Sequence, residues 1–407
     1  MAKPRVLMLD HTAQVGGAEI ALLRLIGTLR SRDTLDLRVL LFADGPLRGR
    51  LAATGVPTVV LRLEDGIATA ARDRIVAGAA RSAFGAVRFA LRLARGIRGS
   101  RADLVVANSL KSAAFAFVAA PLAGRPWVWH LHDRLAPDYL PRPLVTAMHL
   151  VAALGPRAII ANSRATLETL PARARRRATV AYPGLPPEAF ARATTTPSLP
   201  MVGIVGRISP TKGQREFLLA AATLAEGRPD VRFAVIGGAL FGEDEYAAEL
   251  RELARSVGLA DRIEFTGWVA DAAEHLRGLS LVVHSSPVPE PFGQVVVEAM
   301  AAGIPVIATA AGGVPDILDP LGSRDRVVGW RSTSTGVLVA PGDPAALAAA
   351  MAAVLAGEVD RAGMAEAAFV DAANRFTIER TADEVVRVWG RQLSPSRAGA
   401  EATCPHL

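Results

Sequence analysis

Short apolar runs alternate with longer segments in which apolar and polar positions recur at helical spacing. In the first half of the chain the apolar runs are RVLMLD, LDLRVLLFA, PTVVLRL, DLVVAN, PWVWHLH and RAIIANS. Helical patterns separate most of them, including a long one predicted over residues 70–98. Strands that alternate with helices indicate a parallel sheet covered by helices on both faces. The first half is therefore predicted to be a doubly wound α/β domain.

The alternation stops at PGLPPEAFARATTTPSLP, residues 183–200, and then restarts. The later strands are predicted at MVGIVG, VRFAVIGG, RIEFTGW, LSLVVHSS, IPVIAT and GVLVAP, and residues 343–391 are helical. We predict an N-terminal domain (1–185), a linker (186–200), a second domain (201–375), a C-terminal helix that packs back on the first domain (376–391) and a disordered tail (392–407). Ligands are expected between the two domains, at the carboxyl ends of strands.

Amino-acid composition limits the cellular compartments and the classes of protein to be considered. Of the 407 residues, 51% are hydrophobic and 21% are charged, which is typical of a globular chain with large cores. The single cysteine, Cys404, excludes a disulfide framework and a thiolate zinc site and fits a reducing compartment. MAKPRVLMLD lacks the pattern of a signal peptide, and no apolar run is long enough to cross a bilayer. We expect a cytoplasmic protein that is soluble or at most peripheral on a membrane.

The net charge of +7 comes mainly from arginine, while aromatic residues make up only 5% of the chain. Nucleic-acid binding favours basic residues interleaved with aromatics, so no nucleic-acid partner is expected.

The helix predicted over residues 70–98 is both basic and amphipathic. Its apolar positions at helical spacing are Phe84, Val87, Leu91 and Ala94, and its arginines on another face are Arg81, Arg88, Arg92 and Arg95. Such a helix can lie on an anionic membrane or receive an anionic, lipid-linked acceptor. A solvated outer helix of the sheet explains the pattern equally well, and both interpretations stay open.

Two loops after predicted strands have the composition of anion sites. GRISPTKG places Arg207 at the end of a strand and Lys212 at the start of the next helix, where the helix dipole and free N–H groups also favour a phosphate. A solvated arginine and lysine would fit as well. Gly16 and Gly17 lie at a similar strand-to-helix turn, but G-x-G-x-x-G is missing there, so the dinucleotide fingerprint is not met.

Two glutamates lie in the otherwise apolar stretch PVPEPFGQVVVEAMAAGIPVIAT. Glu290 comes just before a helix predicted to begin near Phe292, whose free N–H groups would be those of Gly293, Gln294 and Val295. Glu298 lies inside that helix. A carboxylate taken out of water needs hydrogen-bond donors. The hydroxyls of a sugar or ribose would supply them, and an internal salt bridge is the alternative.

EPFGQVVVE has the spacing E-x7-E. With GRISPTKG before it and GGVPDIL and TGVLVAPGD after it, the second half resembles family 4 of the retaining glycosyltransferases. The resemblance covers residues 201–356 almost continuously. It is looser in the first domain, where it rests on Gly16 and Gly17, WHLHD and IIANS. It implies the GT-B fold, with two Rossmann-like domains facing across a cleft.

The resemblance also implies roles for individual residues. Arg207 and Lys212 would hold the diphosphate of a nucleotide-sugar donor, Glu298 its ribose, and Glu290 the hydroxyls of its sugar. Phe292, Gly293, Gln294 and Val295 are likewise predicted to bind the donor. The base would lie against Trp268 and Val269, and Gly16 and Gly17 would touch the donor phosphate or the acceptor. The donor is expected to be linked to UDP or GDP, and the acceptor to be a hydroxyl of a polysaccharide, a lipid-linked glycan or a glycosylated metabolite.

In such enzymes a histidine that ends a strand of the acceptor domain reaches the reacting sugar. WVWHLHD offers His130 and His132, which alternation along a strand places on the same face. His132, directly before Asp133, fits the pattern better, and His130 is expected to be a core histidine. The predicted catalytic residues are therefore His132, Arg207, Lys212 and Glu290.

No cofactor or metal is expected besides the nucleotide sugar, because no D-x-D sequence stands where a bound diphosphate would need one. The acids of GEDEY open a helix, where acids are common. Other classes compete with the transferase: a dehydrogenase of similar layered form, a noncatalytic nucleotide-sugar binder, and a GT-B phosphorylase or epimerase. The missing fingerprint glycines argue against the dehydrogenase, the first-domain residues His132, Gly16 and Gly17 against the binder, and the E-x7-E context against the phosphorylase and epimerase.

Overall fold

The computed structural model of the protein describes residues 3–63, 79–192, 199–240, 242–269, 272–322 and 326–393. The described chain divides into two compact units. The first takes its residues from Met1–Asn162, Thr169–Ala181 and Thr381–Leu407, and the second from Ser163–Glu168 and Tyr182–Arg380. Neither unit is a single continuous stretch of sequence.

The first unit is built on a seven-stranded sheet. Its strands are β1 (Arg5–Asp10), β2 (Asp36–Leu41), β3 (Thr58–Val60), β4 (Leu104–Ala107), β5 (Trp127–Leu131), β6 (Ala158–Ala161) and β7 (Ala178–Val180). They lie in the order β3-β2-β1-β4-β5-β6-β7, and every neighbouring pair is parallel. Because the order reverses beside β1, the carboxyl ends of β1 and β4 flank the switch point where doubly wound sheets bind ligands.

The helices of this unit are α1 (Gly17–Arg32), α2 (Pro46–Ala53), α3 (Ala79–Ser100), α4 (Leu110–Leu122), α5 (Arg142–Leu154) and α7 (Ala172–Arg175). In α1 the buried residues Leu22, Leu25, Ile26 and Leu29 recur at helical spacing, which turns one side of the helix toward the sheet. Side chains of α3, α4 and α5 share a single core with those of β1, β4 and β5.

The second unit repeats the plan and includes the short helix α6 (Arg164–Glu168). Its strands are β8 (Met201–Val205), β9 (Arg232–Ile236), β10 (Ile263–Gly267), β11 (Leu281–His284), β12 (Val306–Thr309), β13 (Trp330–Ser332) and β14 (Val337–Val339). They lie in the order β10-β9-β8-β11-β12-β14-β13. All pairs are parallel except β13 with β14, which form an antiparallel hairpin at one edge.

The helices of the second unit are α8 (Gln214–Gly227), α9 (Asp244–Ser256), α10 (Ala272–Arg277), α11 (Gln294–Ala301), α12 (Val314–Leu318), α13 (Pro344–Ala356) and α14 (Arg361–Arg375). The last helix, α15 (Ile378–Leu393), begins in the second unit and continues in the first from Thr381 onward. There its Trp389 is fully buried, with its indole ring stacked 5.5 Å from the ring of His130.

The predicted α/β class and the two doubly wound sheets are confirmed. Several short elements were missed: α2, α6, α7, α10, α12, β7, β13 and two 3₁₀ turns at Pro187–Phe190 and Pro210–Lys212. Strands of three residues such as ATV and WRS are too short to show a period. The long helix predicted over residues 70–98 runs from Ala79 to Ser100, and residues 64–78 lie outside the described part. So do residues 193–198 of the predicted linker and 394–407 of the predicted tail.

Candidate active site

In the second unit the loop from β8 to α8 is held by a glutamine that the sequence reading missed. Gln214, the first residue of α8, is completely buried. Its amide nitrogen donates to the carbonyl of Arg207 at 2.9 Å, and its amide oxygen accepts from the N–H of Ser209 at 3.4 Å. Because both ends of the amide bind loop backbone, the half-buried side chain of Arg207 leaves the sheet from a fixed position.

Lys212 is placed by two serines that follow β11. The hydroxyl of Ser285 donates to the carbonyl of Gly213 at 2.7 Å, and that of Ser286 donates to the carbonyl of Thr211 at 2.6 Å. Gly213 has φ of 78°, and a Cβ there would lie 1.9 Å from the Ser285 carbonyl oxygen. Only glycine fits this contact. The ends of β8 and β11 are thus joined directly beneath the lysine.

Glu290 lies between two nitrogen-bearing side chains. Its Oε1 accepts from Lys212 Nζ at 2.6 Å, and its Oε2 lies 3.2 Å from Nε2 of the buried His284, without the alignment of a hydrogen bond. Thr309 Oγ1 lies 3.5 Å from the other ring nitrogen of His284. Burial alone would raise the pKa of Glu290, but the charge of Lys212 and the contact with His284 outweigh it and hold the pKa well below its usual range. The carboxylate is therefore ionised in this site.

The backbone around Glu290 is enclosed by the glycines of GGVPDIL. Gly312 has φ of 63°, and a Cβ there would lie 1.9 Å from the Glu290 carbonyl oxygen, which accepts from the N–H of Gly313 at 2.8 Å. Ser163 and Thr166 donate to the next carbonyl, that of Pro291, at 2.5 and 3.2 Å. Glu290 therefore stands on a loop whose backbone is fixed from two sides.

The residues after Glu290 divide between the core and the surface. The ring of Phe292 is 4% exposed and stacks 5.9 Å from that of Tyr182. Only its backbone remains for a ligand. Gly293 precedes α11, and Gln294 and Val295 in the first turn are partly exposed. Their N–H groups have no partner within the helix, as at any helix N-terminus.

Glu298 is half-buried and lies one turn after Gln294, whose amide nitrogen donates to Glu298 Oε1 at 3.1 Å. The preceding residues Val296 and Val297 are fully buried. Glu298 therefore lies on the partly open face of α11, with a glutamine at hand as a hydrogen-bond donor.

After β10, the side chain of Trp268 is 65% exposed, whereas Val269 packs against the core. Backbone of the neighbouring β9 loop comes close, since a Cβ on Gly238 would lie 2.9 Å from the Trp268 nitrogen. An exposed indole on a fixed backbone offers a flat surface on which a base can stack.

The first unit brings three polar residues together at the ends of β1, β4 and β5. Asp10 is fully buried, and its Oδ2 accepts from the amide nitrogen of Asn108 at 2.8 Å. The amide oxygen of Asn108 lies 3.1 Å from Nε2 of His132. The carbonyl of His132 accepts from the amide nitrogen of Asn162 at 3.1 Å. Burial lowers the pKa of His132, against the opposing charges of Asp133 and Asp10. Asp10 and Asn108 were not predicted as site residues, although each follows an apolar strand run.

Gly16 and Gly17 stand at the start of α1 in the same unit. The N–H of Gly16 donates to Oε2 of Glu19 at 3.0 Å, which closes the turn onto its own helix. Burial, and next the charge of Asp10, raise the pKa of Glu19 to about 7.

His130, two residues before His132, is 4% exposed and accepts a hydrogen bond from the Trp389 indole at 3.2 Å. Burial lowers its pKa to about 3. The ring is neutral and belongs to the core.

Within the second unit the structure brings Lys212 and Glu290 into contact, places Arg207 and Trp268 just after strands β8 and β10, and places Glu298 inside helix α11. His132, Gly16 and Gly17 lie in the other unit. Among the described residues, no three His, Cys, Asp and Glu side chains group as a metal site. No described helix is long and apolar enough to cross a membrane.

Comparison with known proteins identifies the family. Residues 188–370 match the model of glycosyl transferases group 1, and residues 15–189 match that of glycosyltransferase family 4. The chain belongs to the family 4 type of glycosyltransferase. The resemblance predicted from E-x7-E and its flanking loops is confirmed, and so is the GT-B fold, which the solved structures of similar proteins share.

The chain is also similar to individual curated proteins. It is 33% identical over 205 residues to D-inositol 3-phosphate glycosyltransferase of Mycolicibacterium gilvum, covering 50% of this chain and 42% of the relative. It is 31% identical over 193 residues to the lipopolysaccharide core biosynthesis mannosyltransferase LpsB of Rhizobium meliloti, covering 47% and 52%. The chain thus spans about half the length of the curated relatives it matches.

Among solved structures, HepE of Anabaena in complex with UDP and glucose superposes with a TM-score of 0.79 at 27% identity, covering 95% of this chain and all of HepE. A second structure of HepE holds UDP-glucose.

Proposed function

We propose that the protein is a retaining glycosyltransferase that moves a sugar from a nucleotide donor to a hydroxyl acceptor. The observation that carries the proposal is the pair Lys212 and Glu290. A lysine and an ionised carboxylate are fixed 2.6 Å apart by backbone contacts on both sides, at the ends of neighbouring strands. A diphosphate needs a cation and a sugar needs hydrogen-bond acceptors, and this pair supplies both.

In the proposed site, Arg207 and Lys212 hold the donor's diphosphate, together with the free N–H groups at the start of α11. Without a donor, Lys212 is neutralised by Glu290. When the diphosphate binds, the ammonium turns to the phosphate oxygens, and Glu290 accepts from hydroxyls of the sugar. Negative charge grows on the departing diphosphate in the transition state, so both cations stabilise it more than the ground state.

Other predicted residues complete the proposed donor site. Glu298 accepts from the ribose hydroxyls with Gln294 beside it, and the base lies against Trp268 and the backbone of Val269. Gly16 and Gly17 approach the phosphate or the acceptor from the first unit, and His132 contacts the reacting sugar once the donor is bound. The complexes of HepE with UDP and with UDP-glucose support a UDP-linked donor ahead of a GDP-linked one.

Transfer proceeds by same-face substitution in the proposed mechanism. The bond from the anomeric carbon to the diphosphate breaks, and the bond to the acceptor oxygen forms on the same face. The acceptor's proton passes to an oxygen of the departing diphosphate. A covalent glycosyl-enzyme would need a carboxylate nucleophile, whereas Glu290 and Glu298 are assigned to hydroxyls. Because two cations and a helix N-terminus neutralise the diphosphate, we expect activity without a metal.

The test begins with thermal unfolding of the protein in the presence of a panel of nucleotide sugars. The donor that raises the melting temperature most is then incubated with hydroxyl acceptors, namely oligosaccharides, lipid-linked glycans and inositol phosphates, with excess chelator. The expected product keeps the donor's anomeric configuration, which NMR coupling constants report. An inverted product would overturn the retaining assignment. Stabilisation by a donor without transfer to any acceptor would favour the noncatalytic binder, and transfer from a sugar phosphate would favour a phosphorylase.

The basic helix α3 supports a second proposal, peripheral association with an anionic membrane. Its apolar residues Phe84, Val87 and Leu91 are 73%, 59% and 43% exposed. Three arginines are exposed on the same helix, Arg88, Arg92 and Arg95, while Phe89, Leu93 and Ile97 face the core. Exposed apolar residues flanked by arginines suit the boundary between lipid headgroups and acyl chains.

Vesicle co-sedimentation tests this second proposal. The protein should bind vesicles that contain phosphatidylglycerol and be released by salt, because salt screens the attraction. Replacing Arg88, Arg92 and Arg95 by glutamine should weaken binding, whereas glutamine at the exposed Arg48 and Arg50 of α2 serves as the matched control. Binding that is absent, or insensitive to salt, would leave α3 as a solvated outer helix.

A further inference from the structure

His130 in β5 and His132 just after it are fixed by different partners. The Nε2 atom of His130 faces the indole nitrogen of Trp389 at 3.2 Å. An indole N–H can only donate, so this Nε2 must carry a lone pair. In a neutral imidazole the proton is then on Nδ1. Since His130 is buried and neutral, its tautomer follows from a single contact.

The contact of His132 leads to the opposite result. Its Nε2 faces the amide of Asn108, whose other end binds Oδ2 of Asp10. An ionised carboxylate only accepts hydrogen bonds, so the amide nitrogen of Asn108 must face Asp10. The amide oxygen must then face His132. An amide oxygen only accepts, and Nε2 of His132 must therefore carry the proton.

Asp10 has the surroundings of an ionised carboxylate. Its Oδ2 accepts from Asn108, while its Oδ1 faces the N–H of Thr12 at 3.4 Å and Nδ1 of His11 at 3.4 Å. Both oxygens thus point at nitrogen atoms able to donate.

We infer that Asp10 and Asn108 are positioning residues that hold His132 in the Nε2–H tautomer, so that its Nδ1 presents a lone pair to a hydroxyl of the reacting sugar. Two neutral histidines in opposite tautomers, His130 in β5 and His132 directly after it, then lie two residues apart. His132 accepts a hydrogen bond from the sugar in this arrangement and does not protonate it. The inference rests on the proposed function for the identity of the hydroxyl, but the tautomer itself is independent of that function.

Nitrogen-15 NMR of the full chain, with labelled histidine, measures the tautomers directly, because a protonated and an unprotonated ring nitrogen differ widely in chemical shift. His132→Gln and His130→Gln assign the two rings by loss of their signals. We expect protonated Nε2 in His132 and protonated Nδ1 in His130. A wild-type His132 with its proton on Nδ1 would overturn the inference, without any variant having to fold.

Variants of Asp10 and Asn108 test the chain of hydrogen bonds that runs from Asp10 through Asn108 to His132. In Asp10→Asn the new amide can donate to the Asn108 oxygen, which lets the Asn108 amide turn over, so His132 should shift toward the Nδ1–H form while His130 stays unchanged. Asn108→Ala breaks this chain of hydrogen bonds. Each variant should lower kcat about tenfold with KM within about twofold, as is typical when an outer hydrogen-bond partner is lost. Asp33→Asn, an exposed aspartate paired with Lys3, is the matched control.

The outcomes separate the inference from the proposed function. An unchanged His132 tautomer in both Asp10→Asn and Asn108→Ala would show that Asp10 and Asn108 do not fix the tautomer, whatever the activity. A shifted tautomer with unchanged kcat would overturn the positioning role. Full transfer by His132→Ala, with the wild-type tautomers as expected, would instead remove His132 from the proposed reaction.

Discussion

The two units place different chemistry on the same topology. In the first unit Asp10, Asn108 and His132 lie at the ends of β1, β4 and β5, and they form a chain of hydrogen bonds that begins at a buried carboxylate. In the second unit the corresponding strands are β8, β11 and β12. Their ends carry the loop of Arg207 and Lys212, and the histidine that contacts Glu290. The sheet fixes where side chains converge, and the loop residues decide what they bind.

We therefore expect the two groups of residues to bind different parts of the substrates. A chain of hydrogen bonds that ends on a neutral imidazole is suited to binding a hydroxyl. A lysine held against a carboxylate is suited to exchanging that carboxylate for a phosphate. Substitutions in these two groups of residues should therefore impair different steps of the reaction. The following experiments separate those steps, from the largest expected effect to the smallest.

Removing the cations of the second unit should have the largest effect. Lys212→Ala should lower kcat by roughly 10²–10³, because charge on the departing diphosphate is stabilised most in the transition state. Arg207→Ala should act in the same direction. Steady-state kinetics at saturating donor provides the measurement, with Arg228→Ala, an arginine paired with Asp230 in the same unit, as control. If turnover survives and only the donor's KM rises, the cations merely bind the donor and the contrast weakens.

The histidines of the first unit should separate activity from stability. His132→Ala should lower kcat by about 10², the scale of losing one hydrogen-bonding group that acts on the transition state. His130→Ala leaves the buried Trp389 indole without its acceptor and should cost about 1–3 kcal/mol of the free energy of unfolding. Activity and denaturant unfolding are measured on both variants. Reversed phenotypes would show that the wrong histidine was assigned to the sugar.

Glu298→Gln should affect binding of the donor more than turnover. A charge-assisted hydrogen bond to the ribose is worth about 1.5–3 kcal/mol, so the donor's Kd should rise by at least tenfold. Calorimetric titration with the donor, and with the nucleoside diphosphate alone, measures the loss. The change should be the same for both ligands, because the ribose is common to them. An unaltered Kd would take Glu298 out of the site.

The smallest effect should be the change in folding stability of Glu290→Gln, which should depend on pH. The pKa of Glu290 is lowered in the folded protein, so the unfolded chain binds the extra proton first. The ion pair of Glu290 with Lys212 therefore stabilises the fold fully above a pH of about 4.3, the pKa of a glutamate in the unfolded chain. This stabilisation is lost as the pH falls toward the lower pKa of Glu290 in the folded protein. We expect the variant to be less stable by about 1 kcal/mol at pH 7, and the difference to shrink below pH 4.

Urea unfolding of parent and variant across pH 3–7 measures that difference, with Glu252→Gln as a control from the exposed pair with Arg255. A difference that does not depend on pH would show that the ion pair with Lys212 is not what stabilises the loop.

Much of the fold could be predicted because its strands are apolar and its helices are periodic. The strand ends could be located too, and with them Arg207, Lys212, Glu290 and His132. Pattern alone could not reveal which partner each side chain meets. The serines after β11 that position Lys212, and the glycines of GGVPDIL that enclose Glu290, act through contacts between residues tens of positions apart. Spacing along the chain carries no signal for such contacts.

Asp10 and Asn108 were missed for a related reason. Each is a short polar residue after an apolar strand, which is a common way for a strand to end. Only the parallel pairing of β1 with β4 and of β4 with β5 aligns them with His132. Phe292 illustrates the reverse case, since its neighbours in sequence suggest a ligand contact while its ring lies in the core.

Because both units are discontinuous in sequence, a chimaera of two such proteins needs more than one junction. The chain passes between the units four times, at Asn162 to Ser163, Glu168 to Thr169, Ala181 to Tyr182 and Arg380 to Thr381. A chimaera joined at residue 182 alone would take Ser163 and Thr166 from one parent and the Pro291 carbonyl they bind from the other. It would likewise separate His130 from Trp389. Exchanging the whole second unit between relatives therefore requires transplanting residues 163–168 together with 182–380, while the terminal helix from Thr381 onward stays with the recipient.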